Sequence, residues 1–450
     1  MVALCDVSFV QFKKLSGDVN EREDLLDKAD ELYQAGMAAF DNNDYRTAVE
    51  LLKRVVELEP RHESAWNNLG RGYLELQQEA PAIEAFRKQI EVNPYDEYAY
   101  NNLGRALWRQ QKYDEAAAAF HKQIEINPLD RRAHANLGSL YSEQRKFTEA
   151  IPELEQAATL APDDPILPVQ LGRAYLETGQ REQGLAAFEK AIKSSPSPGT
   201  WNNVAYYLAQ HKLQLDRAQQ YAESAVATMA ALLRNAALER LRLEDVSAVA
   251  GLASFWDTLG WVFFAQGNLD RAEKYIEAAW QLTQHGEVGD HLGQIYEKRG
   301  RPQDAARQYA LALAASRPVP ETRKRLAALL GNEKQVDERV NAVREELVQQ
   351  RIVKLGKLLK ASANAEFFVL FAPGSASAAG VSTKVEDLKF VSGDEQLRPL
   401  AAALRSARYP VLFPDDTPTR LVRRGVLSCS ALTSECVFVL YQADAVQSVN

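Results

Sequence analysis

The chain has 450 residues, of which 46% are hydrophobic and 25% are charged, as is usual for a globular protein. Its net charge of -8 argues against a nucleic-acid partner, because phosphate binding relies on clustered Lys and Arg. No apolar stretch is judged long enough to cross a bilayer, so no membrane insertion is expected. The three cysteines are too few to define a disulfide scaffold.

Residues 1–24 are predicted to form a separate N-terminal segment. Their only apolar run contains Asp6 and precedes the lysines, whereas a secretory signal carries its positive charge first. The segment begins abruptly with strand-like residues, which suggests the tail of a larger protein. An alternative hypothesis is that the chain is the regulatory half of an enzyme whose catalytic domain lies upstream of Met1.

The central feature of the sequence is a repeat with a period of 34 residues. Asn-Leu-Gly recurs three times, and the glycines of successive copies are one period apart. Prolines follow in the same phase. The glycines are Gly70, Gly104, Gly138 and Gly172, and the prolines are Pro60, Pro94, Pro128, Pro162 and Pro196.

Each copy has small and apolar residues at helical spacing on two successive helices. In one copy these residues are Trp66, Leu69, Gly70 and Tyr73, then Ala82 and Phe86. The pattern resembles the tetratricopeptide repeat (TPR), a helix-turn-helix unit of 34 residues. The resemblance implies a mostly α fold, with a TPR α-solenoid of about eight repeats over residues 25–316. A helical insertion is predicted at about residues 228–254.

The first helix of each repeat lines the concave groove in a TPR stack, and polar residues recur there. An amide side chain has both a donor and an acceptor, so a ladder of amides matches a peptide backbone of any sequence. A similar asparagine ladder in O-linked N-acetylglucosamine transferase holds extended peptides, and the arginines favour acidic ligands or a free carboxylate. The candidate groove residues are Asn68, Arg71, Asn102, Arg105, Arg132, Asn136, Gln170, Arg173 and Asn203.

Two other readings of these residues remain open. An asparagine before Leu-Gly is common in TPR sequences and can bridge adjacent repeats. The carboxylate clamp of chaperone-binding TPRs fits poorly, because Asn67 and Asn136 stand where that clamp has basic residues. Tyr98 and Trp108 can either contact a ligand in the groove or pack against the protein itself.

No cofactor or metal site is expected, and the chain is predicted not to be an enzyme. His285, Glu287, Asp290 and His291 are possible Zn²⁺ ligands, but their spacing matches no recognised site. Helix capping by Glu287 or Asp290 is the preferred explanation. The histidines and cysteines form no recognisable nucleophile–base motif.

The C-terminal part has a different pattern. Residues 317–362 are predicted as a helical linker, with a charged helical stretch at Glu321–Lys360 that breaks at Gly331. Residues 363–450 are predicted as a small α+β domain with the order β-β-α-β-β. Its helix is predicted at Glu395–Arg408. The segment FVSGDEQLRPLAAALRSARYP resembles a TonB carboxy-terminal domain, which implies a periplasmic binding module.

Cys429 and Cys436 flank the turn of the predicted C-terminal hairpin. They are either a cross-strand disulfide, which would favour the periplasm, or two reduced thiols in the cytoplasm. The sequence as a whole predicts a bacterial protein–protein interaction scaffold that binds an extended peptide or partner protein in its groove. The identity of the partner and the oligomeric state stay open.

Overall fold

A computed structural model describes the backbone of residues 9–377 and 380–445, and the side chains of residues 25–374 and 383–445. Cys5 and the start of the predicted N-terminal segment lie outside the described residues. The chain divides into two compact units, residues 1–194 and residues 195–450. They are called the first unit and the second unit below, and each is described by itself.

The described part of the first unit contains five helix pairs. In each pair a first helix, called the A helix, packs on a second, the B helix, and each B helix packs on the next A helix. The A helices are α1 (Phe9–Asp41), α3 (Ala65–Glu75), α5 (Glu97–Arg109), α7 (Arg131–Glu143) and α9 (Leu167–Glu177). The B helices are α2 (Tyr45–Leu58), α4 (Glu79–Val92), α6 (Tyr113–Ile126), α8 (Phe147–Leu160) and α10 (Arg181–Ser194).

The small residues of the repeat lie where the two helices of a pair cross. A Cβ atom built on Gly104 would lie 2.6 Å from the ring of Phe120, so only glycine allows this approach. Ala116 is fully buried in the same crossing. The next A helix begins where a side chain caps it: Asp130 accepts a hydrogen bond from the backbone N–H of Arg132.

The A helices of successive repeats approach one another more closely than the B helices do. Contacts join α3 to α5, α5 to α7 and α7 to α9. In a curved stack of helix pairs, the more closely spaced layer lies on the inner side. The A helices therefore line the concave face of the first unit, as the repeat pattern predicts.

The second unit combines further helix pairs with a sheet. Its helices are α11 (Pro198–Gln210), α12 (Leu215–Leu233), α13 (Leu243–Ala265), α14 (Leu269–Thr283), α15 (Gly286–Lys298), α16 (Pro302–Ala314), α17 (Pro320–Leu330), α18 (Gln335–Gln349) and α19 (Ala401–Ser406). Its strands are β1 (Ile352–Lys357), β2 (Ala363–Ser377), β3 (Gly380–Gly393), β4 (Leu421–Cys429) and β5 (Glu435–Leu440). The sheet is antiparallel in the order β1-β5-β4-β2-β3.

The insertion predicted at residues 228–254 lengthens its two neighbouring helices. The helix α12 runs on to Leu233, and α13 begins at Leu243, with a short 3₁₀ turn at Leu238–Arg240 between them. The resulting 23-residue helix α13 is long and apolar enough to cross a membrane by those two criteria, and 67% of its most apolar window is buried within the protein. The expectation that no stretch reaches this length was wrong.

The insertion forms one apolar core with the sheet. Ala236, Leu238 and Val246 pack with Phe368 and Val422, and all five side chains are buried. These residues are far apart in the sequence, so their association is not visible as a local pattern.

The structure corrects two predictions in the C-terminal part. The predicted helix at Glu321–Lys360 breaks at Gly331, where φ is +67°, but it ends at Gln349, and β1 follows it. A strand forms there because β1 pairs with β5. The predicted helix at Glu395–Arg408 starts as a 3₁₀ turn containing Pro399 and becomes α-helical only at Ala401–Ser406. The resemblance to a TonB domain stays a prediction.

Buried Arg423 on β4 joins the sheet to α14. Its side chain is 2% exposed and donates hydrogen bonds to the backbone carbonyls of Gln281 and Tyr441. Gln281 lies in the last turn of α14, where carbonyls lack partners within the helix and a positive charge is favourable. Arg423 therefore caps α14 from the sheet.

Candidate functional site

The concave face of the first unit carries a chain of hydrogen bonds between neighbouring repeats. The side-chain amide of Asn102 donates to the Oδ1 atom of Asn67 at 3.0 Å, and that of Asn136 donates to Asn101 at 2.9 Å. Gln170 donates to the hydroxyl of Ser139 at 3.0 Å. These residues lie on successive A helices, so the amides do bridge adjacent repeats.

Bridging leaves part of each amide unused. An asparagine side chain has two N–H donors and an oxygen with two lone pairs, and each bridge uses one N–H of its donor. Asn102, Asn136 and Gln170 are half-buried and therefore still reach the solvent. The same side chains can both fix the repeats and offer hydrogen bonds to a ligand.

Asn68 differs from the other predicted amides. It is 6% exposed, its amide donates to the hydroxyl of Tyr33 at 2.7 Å, and its oxygen accepts from Arg71 at 2.8 Å. Its role is therefore within the repeat stack. Asn203 is exposed on α11 in the second unit.

The bridging partners Asn67, Asn101 and Ser139 were not among the predicted site residues. A signal for two of them exists in the sequence: asparagine doublets at residues 67–68 and 101–102. The second asparagine of one doublet contacts the first asparagine of the preceding doublet.

The predicted arginines have different surroundings. The guanidinium of Arg71 lies 4.6 Å above the ring of Phe40, and that of Arg173 lies 5.3 Å above Phe147. Arg132 is exposed and lies 5.6 Å above the ring of Tyr98. Arg105 is exposed, and no hydrogen bond or ion pair links it to any other described residue.

A pocket of about 330 Å³ opens between α5 and α7 on this face. It includes the predicted residues Arg105 and Asn136, and also Trp108. Glu143 holds Trp108 in place, since its carboxylate accepts hydrogen bonds from the Trp108 indole at 2.7 Å and from the Tyr113 hydroxyl at 2.9 Å. The full lining is Arg105, Trp108, Arg109, Gln111, Asn136 and Glu143.

The four residues considered as metal ligands point to four separate partners. His285 contacts Asp444 at 2.8 Å, Glu287 accepts from Tyr206 at 2.8 Å, and His291 contacts Asp257 at 2.9 Å. Asp290 accepts from Arg325 at 2.8 Å. The preferred explanation, helix capping by Glu287 or Asp290, was wrong, because both residues lie inside α15 and their carboxylates accept from side chains instead of the first backbone N–H groups.

Asp30, Glu59 and His62 in the first unit do lie close enough together to hold a metal ion. The backbone N–H of Ser64 donates to the Nδ1 atom of His62, so the neutral ring carries its proton on Nε2. That nitrogen faces Asp30 at 3.9 Å and then has no lone pair for a metal. The cluster therefore carries no assignment of a metal site.

Cys429 and Cys436 face each other on β4 and β5, with their Cα atoms 4.1 Å apart, and form a disulfide. Both side chains are buried. Thiol titration of the native protein with and without reductant would test the pairing, and the compartment that it would favour stays a prediction.

Comparison with known proteins identifies the repeats. Family models described as tetratricopeptide repeat match residues 33–97, 101–165 and 141–205. No curated protein sequence matches the chain.

Several solved structures are similar to part of the chain. MamA from Desulfovibrio magneticus RS-1 is 20% identical, with 37% of this chain and 95% of that chain covered and a TM-score of 0.36. PilF of Pseudomonas aeruginosa is 16% identical, with 48% and 95% covered and a TM-score of 0.39. YrrB, described as a TPR protein with an unusual peptide-binding site, is 18% identical, with 40% and 92% covered and a TM-score of 0.35. The family models, independently of these structures, show that residues 33–97 and 101–205 of this chain are tetratricopeptide repeats.

Proposed function

We propose that the chain is a protein-interaction scaffold, and that the concave face of its first unit binds an extended segment of a partner protein. One observation carries this proposal: half-buried amides from successive repeats form a ladder, and each uses only part of its hydrogen-bonding capacity. Stacked repeats commonly bind partners along such a concave surface.

The amide ladder suits the backbone of an extended peptide. Such a chain rises about 3.3 Å per residue, and neighbouring helices lie about 8–10 Å apart, so each repeat would span about three residues. The A helices α3, α5, α7 and α9 would then accommodate about eight residues. Backbone recognition by amides depends little on the sequence of the peptide.

The bridges between repeats support binding instead of competing with it. Each bridge holds an amide in one orientation before a ligand arrives, which lowers the conformational entropy lost on binding. The two readings of the asparagines are therefore compatible.

The test is a double substitution, Asn102→Ala with Asn136→Ala. Random ten-residue peptides displayed on phage are selected on the wild-type protein, and the best binder is measured by calorimetry. Two lost backbone hydrogen bonds predict a decrease in affinity of about tenfold or more.

Asn68→Ala is the matched control, because it removes the same kind of bridge from a buried site. We expect it to reduce stability about as much as either single substitution and to leave the affinity unchanged. If the double variant binds the selected peptide as tightly as the wild type does, the ladder has no part in binding.

A further inference from the structure

Three kinds of side chain follow one another along the concave face of α5. Tyr98 lies near the start of the helix, Asn102 in the middle, and Arg105 and Arg109 toward the end. Their spacings of four, three and four residues place all of them on one side of the helix. At 1.5 Å per residue, about 16 Å separate Tyr98 from Arg109 along the helix axis.

The starts of the A helices form an apolar rim, which we define as Tyr95, Tyr98, Leu129 and Ile166. These side chains are 78%, 53%, 72% and 62% exposed. Tyr95 and Leu129 occupy the same position one repeat apart, and Tyr98 and Ile166 occupy the same position two repeats apart. Exposed apolar side chains gathered along one edge mark a protein-binding surface.

The other side of the amide ladder is basic at the pocket between α5 and α7. Arg105 and Arg109 are one helical turn apart and exposed, and neither pairs with another described residue. Glu143 contributes one negative charge, but its two oxygens already accept hydrogen bonds from Trp108 and Tyr113. The two guanidinium groups therefore leave the pocket with a net positive charge and free donors, which suit a carboxylate.

We infer that the groove selects extended segments that present carboxylates to Arg105 and Arg109 and apolar side chains to the apolar rim. This inference rests on the proposed function. Successive side chains of an extended peptide point to opposite sides, so a peptide lying on the amide ladder directs alternate residues to the two edges. The ligand is thus an alternating acidic and apolar segment, with its carboxylate from a side chain or from a chain end.

Four synthetic ten-residue peptides with a fluorescent label at the N-terminus test the inference. Three carry an amidated C-terminus and alternate Asp with Leu, Asn with Leu, or Asp with Ser. The fourth alternates Asn with Leu and has a free C-terminal carboxylate. Fluorescence anisotropy gives the affinity of each peptide for the full chain. The peptide selected on phage is measured in the same way as a reference.

We expect the Asp–Leu peptide to bind about tenfold more tightly than the amidated Asn–Leu and Asp–Ser peptides. Arg105→Gln with Arg109→Gln should abolish the preference for Asp over Asn. Tyr98→Ser with Ile166→Ser should abolish the preference for Leu over Ser. Arg46→Gln with Arg54→Gln removes the same charge from exposed positions on α2 and should change neither preference.

If the wild type binds the Asp–Leu and amidated Asn–Leu peptides equally well, the inference is overturned. Such equal binding would still support the proposed function, provided that both affinities are measurable. Binding of the phage-selected peptide alone would also overturn it. Loss of all peptide binding, the selected peptide included, would count against the proposed function itself. If the free-carboxylate peptide matches the Asp–Leu peptide, a chain end supplies the carboxylate.

Discussion

The two units use the same positions of the A helices for different purposes. In the first unit, an amide of one repeat donates to an amide of the preceding repeat, as Asn136 does to Asn101. In the second unit, His291 and Asp257 occupy the corresponding positions of α15 and α13, one repeat apart. The bridge between repeats is thus neutral in one unit and charged in the other.

The charged bridge is closed off from solvent. His291 and Asp257 are 4% and 7% exposed, and the ring of Trp261 stacks on His291 with a centroid distance of 4.1 Å. A buried charge is tolerated only with a close partner of opposite sign. The second unit therefore uses these positions for its own stability, whereas the first unit leaves its amides within reach of a ligand.

The largest expected effect comes from breaking the charged bridge. Asp257→Ala removes the partner of His291 in a buried site, and we expect a loss of about 3–5 kcal/mol in the free energy of unfolding. Unfolding in urea, monitored by hydrogen–deuterium exchange, would show the loss of stability in the second unit.

Asp270→Ala is the matched control, because Asp270 forms its ion pair with Arg299 at an exposed site. Such pairs contribute about 0–1 kcal/mol. If both variants lose the same small amount, the buried pair has no special role in the second unit.

The stability of the second unit should also depend on pH. Burial lowers the pKa of His291, but Asp257, with Glu287 and Asp290 nearby, raises it overall from 6.5 to about 9. Because the folded pKa is the higher one, this stabilisation is fully present below pH 6.5 and is lost as the pH rises through about 9.

The loss should be at most about 3 kcal/mol, and comparing unfolding curves at pH 6 and pH 9.5 measures it. The Asp257→Ala variant should show a much smaller decrease over the same range. An equal decrease in both proteins would mean that another group causes the pH dependence.

The smallest expected effect concerns a neutral bridge in the first unit. Tyr33→Phe removes the hydroxyl that accepts a hydrogen bond from Asn68 and keeps the shape of the ring. We expect a loss of about 1 kcal/mol, the usual contribution of one neutral hydrogen bond. A loss as large as that of Asp257→Ala would contradict the distinction between neutral and charged bridges.

Local periodicity predicted the repeats well because each helix pair is defined within 34 residues. Glycines such as Gly104 and alanines such as Ala116 report a contact between adjacent helices, so their spacing identifies the fold. The recurring amides of the A helices were visible in the sequence, and their role in binding stays a prediction. Their partners in the preceding repeat were missed, because the spacing of residues in the sequence does not show where a side chain points across the interface between two helices.

Features that depend on distant residues could not be predicted in this way. The strand β1 was assigned to a helix because only its pairing with β5 makes it a strand. The insertion was recognised, but its packing against Phe368 and Val422 joins segments more than a hundred residues apart. Trp108 and Glu143 belong to one pocket because α5 and α7 are neighbours in space.

The most direct test of this account places the same probe in both units. The photoreactive amino acid benzoylphenylalanine replaces either Trp108 on α5 or Phe264 on α13, since both aromatic residues follow the repeat glycine by four positions. The labelled peptide selected on phage is then irradiated with each protein. We expect a cross-link at position 108 and none at position 264, and a cross-link at position 264 alone would contradict the account.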